Sequence, residues 1–230
     1  MSAFGSIRAL LGGFGRQKNV SAWDAAVGVQ RREMSSQTRT STAIQEFLES
    51  IRDQIGLTIV DFSGSCEQNV SFITGLRHRL YAESLPKAVE TVFGPGGEDE
   101  DARLANPERI QAFLEYSLNF EPASIDAILL WDGLEWLSPE AQRSVVGRIH
   151  NVLRPGGMAF AVFHTEAAAP TVPVHYYRLF DSRSIVITDI GKDRTHRLFT
   201  NRNIERLFEN FQQVKFYLSR DQLREVLIRR

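Results

Sequence analysis

The chain contains a single cysteine, Cys66, among 230 residues. That excludes an internal disulfide and a cysteine-rich metal centre, and it fits a reducing compartment such as the cytoplasm. No apolar run approaches the ~20 residues that a membrane-spanning helix requires. There is no internal repeat, no GxxxxGK[ST] phosphate loop, no Ser/His/Asp signature and no metal-ligand spacing, so no metal is expected. Charge of one sign is also lacking, because 27 basic and 28 acidic residues leave a net charge of −1.

That balance hides an asymmetry. Residues 1–40 carry six Lys/Arg against two acids, and residues 176–230 carry twelve against seven. The acidic excess therefore sits in the middle. A continuous basic groove for nucleic acid is not expected, and the basic C-terminal third suits an anionic partner on charge alone. A hydrophobic content of 43% is ordinary for a globular chain, and the length suits one enlarged domain.

Residues 1–40 are polar and rich in Gly and Ser, and they read as a loosely ordered N-terminal arm ahead of a domain spanning 41–230. Phe4, Ile7, Leu10, Leu11 and Phe14 have helical spacing beside Arg8, Arg16 and Lys18. A membrane-surface contact or a transit-like segment is a second reading of that stripe. From Ile44 to Ile51 a clear helical stripe (Ile44, Phe47, Leu48, Ile51) leads to Gly56.

The best-patterned stretch runs from Ser124 to Thr165. Asp126 opens an apolar run through Trp131, short enough for a buried strand. Ser138-Pro139-Glu140 reads as an N-cap, a first-turn proline and a first-turn acid. Val145, Ile149 and Val152 share one face of the helix that follows. Leu153-Arg154-Pro155-Gly156-Gly157 ends it, and Met158 to Phe163 forms a second apolar strand. A strand, a crossover helix and a strand in one sheet are parallel and right-handed.

"DAILLWDGLEWL" followed by "VLRPGGMAFAVF" resembles the fourth-strand, crossover-helix and fifth-strand segment of class I S-adenosylmethionine-dependent methyltransferases. The resemblance implies an α/β, Rossmann-like doubly wound fold with a mostly parallel sheet. Val214–Leu218 and Leu223–Ile228 would be its C-terminal antiparallel pair, and Val174–Asp181 with Ser184–Asp189 an inserted hairpin. A third strand is expected between residues 85 and 118, and none can be identified there.

The resemblance also implies a site above the carboxyl ends of the strands. Leu57 to Phe62 is the first strand, and Asp61 matches the acid that begins the cofactor loop. The three glycines of that loop are replaced by Ser63, Ser65 and Glu67, and Gly64 stands one position out of phase. The motif is degenerate, and glutamate at the third position would set a negative charge near the cofactor carboxylate. Glu83, 22 residues after Asp61, falls where the family places its ribose-binding acid. Asn119 and Phe120 are candidate adenine contacts.

Trp131 and Asp132 follow the fourth strand. Trp131 reads either as a π face for the sulfonium cation or as core, and Asp132 either as an acceptor contact or as a turn cap. His164, after the fifth strand, is a candidate general base, or else a hydrogen-bonded structural histidine. The expected cofactor-binding set is Asp61, Ser63, Gly64, Ser65, Glu83 and Trp131, with Asp132 and His164 as catalytic candidates.

Two functions follow. One is S-adenosylmethionine-dependent methyl transfer to a small-molecule acceptor. The other is a methyltransferase-like protein that has lost cofactor binding and serves as a scaffold for a protein partner.

Overall fold

The computed structural model describes residues 34–95, 99–165, 170–218 and 223–230. The apolar stripe Phe4–Phe14, the centre of the acidic Gly94–Asp101 stretch and the final Ser219–Gln222 turn lie outside them.

In chain order the elements are β1 (Ser35–Thr40), α1 (Thr42–Arg52), β2 (Thr58–Asp61), α2 (Glu67–Gly75), β3 (Arg79–Ala82), α3 (Leu85–Phe93), α4 (Glu100–Leu104), α5 (Pro107–Ser117) and β4 (Ile125–Trp131). A 3-10 turn (Gly133–Trp136) then leads to α6 (Pro139–Val152), β5 (Leu153–His164), β6 (Thr171–Asp181), β7 (Ser184–Thr195), α7 (Asn201–Leu207), β8 (Gln213–Leu218) and β9 (Leu223–Arg229).

Most of the helices start where local chemistry supplies an acceptor for their first free N–H groups. Ser41, Ser84, Asn106, Ser138 and Thr200 each accept a hydrogen bond from the backbone N–H three residues on. Proline in the first turn of α3, α5 and α6 gives up no helical hydrogen bond there. The helices α2 and α4 are the exceptions, because Cys66 and Asp99 at their N-caps make no side-chain capping bond.

The main sheet has the order β3-β2-β4-β5-β9-β8. β3, β2, β4 and β5 are mutually parallel, whereas β9 runs antiparallel to both β5 and β8. Strands β4 and β5 are buried on both faces, which explains why they read as unbroken apolar runs. Ile128, Leu130, Ala159, Ala161 and Phe163 face one core with residues of α3 to α7. Ala127, Leu129, Trp131, Phe160 and Val162 face the other, shared with α1 and the hairpin β6–β7.

Two findings differ from the sequence reading. Residues 35–40, placed on sequence at the end of the arm, form β1, which pairs with β7 over six residues to complete a small β1-β7-β6 sheet. Arg39 and Ser41 then anchor that sheet to β9 through the buried Glu225, which takes the Ser41 hydroxyl hydrogen bond at 2.7 Å. The second finding is the missing third strand. Among the described residues none pairs outside β3, and residues 85–117 supply three helices instead. No described helix is long and apolar enough to cross a membrane.

Candidate functional site

The carboxyl ends of β2, β4 and β5 bring the sequence-expected residues together in two adjoining groups. The first surrounds Asp61, whose side chain is fully buried at the end of β2. One carboxylate oxygen accepts the indole N–H of Trp131 at 2.7 Å and the backbone N–H of Ser63 at 2.9 Å. The other accepts the Ser63 hydroxyl at 2.9 Å and the side-chain amide of Asn69 at 2.7 Å. Burial pushes the Asp61 carboxyl above its ordinary value, against the pull of these donors. The Asn69 carbonyl accepts the Leu179 N–H at 2.7 Å, so α2 is bolted to β6 through the same cluster.

Trp131 ends β4 with a positive φ of 52°, a conformation costly for a bulky residue. The turn drops its ring into the interior, where it stacks on Tyr177 at 5.1 Å and 11° and meets the edge of Phe160 at 5.4 Å. Tyr177 is buried as well, and its hydroxyl is pushed well above the usual range, first by burial and then by the charges of Asp132 and Glu135.

The loop after β2 is stitched to its neighbours. Gly64, at φ 94°, donates its N–H to the Glu83 carbonyl at 2.9 Å, and Ser63 forms an isolated bridge with Ser84. Glu83 is half-buried and accepts the Ser84 N–H at 3.2 Å. Leu85 N–H reaches the Phe62 carbonyl at 3.3 Å. A Cβ at Gly133 would stand 2.8 Å from the Leu85 side chain, so the turn after β4 presses directly on the start of α3. The loops following β2, β3 and β4 are therefore in mutual contact.

Ser65 is exposed, and Glu67, which opens α2, is exposed too, where its charge suits a helix N-terminus. Asn119 and Phe120 lie beside the outer edge of β3. They line a depression of about 170 Å³ with Tyr81 and Tyr116.

The second group is charged. Glu135, on the 3-10 turn, is buried and accepts both the His164 backbone N–H at 2.6 Å and its ring Nδ1 at 2.7 Å. Arg194 from β7 donates to the same carboxylate, and its Nη2 lies 3.2 Å from Asp132 Oδ2. Asp132, Glu135 and His164 hold potential ligand atoms within 4.8 Å of one another, and the guanidinium bridges the two carboxylates.

Burial pushes the Asp132 carboxyl up and outweighs the attraction of Arg194. Burial pushes Glu135 up too, but the His164 hydrogen bond and the Arg194 charge together hold it below its ordinary value. His175 stacks on His164 at 5.5 Å, and its pKa is lowered to about 4 by burial and then by the His164 charge. Among the described residues, His164 Nε2 and the Nε and Nη1 of Arg194 are buried without a hydrogen-bond partner.

Sequence reasoning placed Asp61, Ser63, Gly64, Glu83, Trp131, Asp132 and His164 in one neighbourhood, and the structure brings them together. It did not single out Asn69, Glu135 or Arg194. Asn69 left a faint signal as the polar residue on the α2 face that holds Ile73. Arg194 left none, since it reaches the site only through the fold of the hairpin.

Residues 79–161 match the family model described as a methyltransferase domain. No curated protein matches the chain. Among solved structures, the chain is similar to the Burkholderia thailandensis 1,6-didemethyltoxoflavin-N1-methyltransferase with bound 1,6-didemethyltoxoflavin and S-adenosylhomocysteine. That likeness has 15% identity, covers 83% of this chain and 79% of that one, and has a TM-score of 0.44. A Methanosarcina mazei S-adenosylmethionine-dependent methyltransferase gives 15% identity, 82% and 97% coverage and a TM-score of 0.44. The glycopeptide N-methyltransferase MtfA complexed with S-adenosylmethionine gives 13%, 82% and 94%, and 0.43. These superpositions are loose. The methyltransferase-domain match spans residues 79–161, and the strand order around it is that of a Rossmann-like, mostly parallel α/β sheet.

Proposed function

We propose that the chain is a methyltransferase-family protein that works without the cofactor, as a binding or scaffold module. The observation that carries this reading is the closed hydrogen-bond circuit at Asp61. Four donors from Trp131, Ser63 and Asn69 occupy its two oxygens. A cofactor entering at the end of β2 would have to displace an indole ring that is itself buried and stacked on Tyr177. The Gly64 N–H is likewise spent on the Glu83 carbonyl, and Leu85 occupies the space beside Gly133. Each of these contacts would be lost on opening, leaving buried polar groups unpaired. The residues present do not fit S-adenosylmethionine in this arrangement.

Calorimetric titration with S-adenosylmethionine and S-adenosylhomocysteine tests the proposal. No heat of binding up to millimolar ligand is the expected result, and micromolar binding of either would overturn it.

The family match favours a second reading, methyl transfer to a small-molecule acceptor beside Asp132 and His164. The buried His164 Nε2, left without a partner among the described residues, is the group that would face such an acceptor. In that case binding in the titration comes first, and His164→Gln then reduces turnover while leaving cofactor affinity in place.

A further inference from the structure

β3 is the terminal strand of the main sheet, with β2 on one side of it. In the ladder to β2, Arg79 and Glu83 donate their N–H groups inward, to the carbonyls of Leu57 and Asp61. Gly56 and Gly64 bond in turn to the carbonyls of Arg77 and Glu83. Odd-numbered residues thus point their backbone groups toward β2, and the alternation of a parallel strand turns those of Leu80 and Ala82 outward. Among the described residues no strand pairs on that side.

Along this edge a basic and an acidic residue flank Tyr81 at equal spacing, in the order Arg79-Leu80-Tyr81-Ala82-Glu83. Tyr81 is 52% exposed and Tyr116, across the 170 Å³ depression from it, is 50% exposed, which is unusual for two large rings on one small patch. Exposed edges with apolar neighbours are commonly covered by another strand.

We infer that β3 pairs antiparallel with β3 of a second copy of this chain about a two-fold axis at Tyr81. The symmetry puts Leu80 opposite the partner's Ala82, where both offer outward N–H and C=O groups, and gives four backbone hydrogen bonds. It also puts Arg79 opposite Glu83 of the second copy, twice, as non-hydrogen-bonded pairs whose side chains lie close. Arg79 is exposed and Glu83 is half-buried with one oxygen on the Ser84 N–H, so both heads can reach across. Charge complementarity and an isologous interface select a second copy over an unrelated strand. The inference is independent of whether the cofactor binds.

Sedimentation velocity over a concentration series reads it directly. A reversible dimer is expected, weakened about tenfold or more by Arg79→Glu or Glu83→Arg, each of which sets like charges opposite one another at two places. The double variant Arg79→Glu/Glu83→Arg restores the pairing and the dimer, with circular dichroism confirming that each variant is folded. A chain that stays monomeric at every concentration overturns the inference. So does a dimer indifferent to the single reversals, or a double variant as weak as either single one.

Discussion

Two buried carboxylate centres sit on adjacent strand ends, and they are satisfied in opposite ways. Asp61 is surrounded by neutral donors, an indole, an amide, a hydroxyl and a backbone N–H, and every one of them is answered. Asp132 and Glu135 are answered by a guanidinium and an imidazole, and Nε and Nη1 of Arg194 and Nε2 of His164 are left without a hydrogen-bond partner among the described residues. The first centre is a structural knot whose two oxygens each accept two hydrogen bonds. The second has donors in surplus and is held together by charge. Family resemblance directs attention to Asp61, but physical chemistry directs it to Glu135.

Truncating each acid separates the two. Glu135→Ala strips the charge that holds Arg194 and His164, leaving a buried guanidinium with only Asp132. A loss of about 3–5 kcal/mol in denaturant-monitored stability is expected, the largest effect in the molecule. Asp61→Ala removes the acceptor of four hydrogen bonds, with Asn69 Nδ2 keeping only Ser63 Oγ at 3.0 Å, and is expected to cost roughly 2–4 kcal/mol. If Asp61→Ala were instead neutral for stability, the knot would be no knot, and a ligand-binding role for Asp61 would regain its force.

The difference in chemistry also accounts for what the sequence could disclose. The parallel unit from Asp126 to Phe163 was legible because both its strands are buried on two faces and its helix carries its own Ser138-Pro139 start signal. The hairpin was legible from alternation, and the terminal strand pair from the family resemblance. Strand β1 was not, because Ser35–Thr40 has no apolar face of its own and gains order only from pairing with β7. At the site, the replaced glycines marked the cofactor loop as altered. They pointed to Glu67 as the obstruction, yet Glu67 is exposed and the interior is filled by Trp131. A side chain that ends a strand can rotate outward or inward, and only the backbone turn at φ 52° decides.

Smaller changes sharpen the account of the knot. Trp131→Phe keeps a ring for Tyr177 but removes the N–H that Asp61 accepts, and about 1–2 kcal/mol of stability should be lost. Gly64→Ala places a Cβ at a positive φ and about 3.4 Å from Ser84. It should cost about 1 kcal/mol. Urea midpoints for the two variants give the ranking, and a Gly64→Ala loss exceeding that of Trp131→Phe would mean that the loop, rather than the indole, closes the crevice.

The pH dependence of stability divides along the same line. His175 has its pKa lowered from 6.5 to about 4 by burial and by the His164 charge, with Asp189 and Glu135 pulling the other way and Arg194 reinforcing the fall. The unfolded chain therefore takes up this proton well before the folded one does, and stability declines as pH falls from about 6.5 toward 4. Glu135, held below its ordinary 4.5, adds a further loss at lower pH still, as its folded form is finally protonated. Asp61 has the opposite sign. Its folded pKa lies above 3.8, so its contribution is present at low pH and lost as pH rises through the folded value. His175 and Glu135 should therefore set the acid sensitivity of the protein, with Asp61 and Asp132 opposing it. Melting temperatures at pH 7.5 and pH 5 test this: His175→Gln should lose most of the drop that the native chain shows between them. Asp61→Asn should leave that drop intact or enlarge it, because a neutral amide removes one of the two buried acids, Asp61 and Asp132, that gain from acid. An undiminished drop in His175→Gln would move the acid-sensitive group away from the charged centre and erase the contrast between the two carboxylate sites.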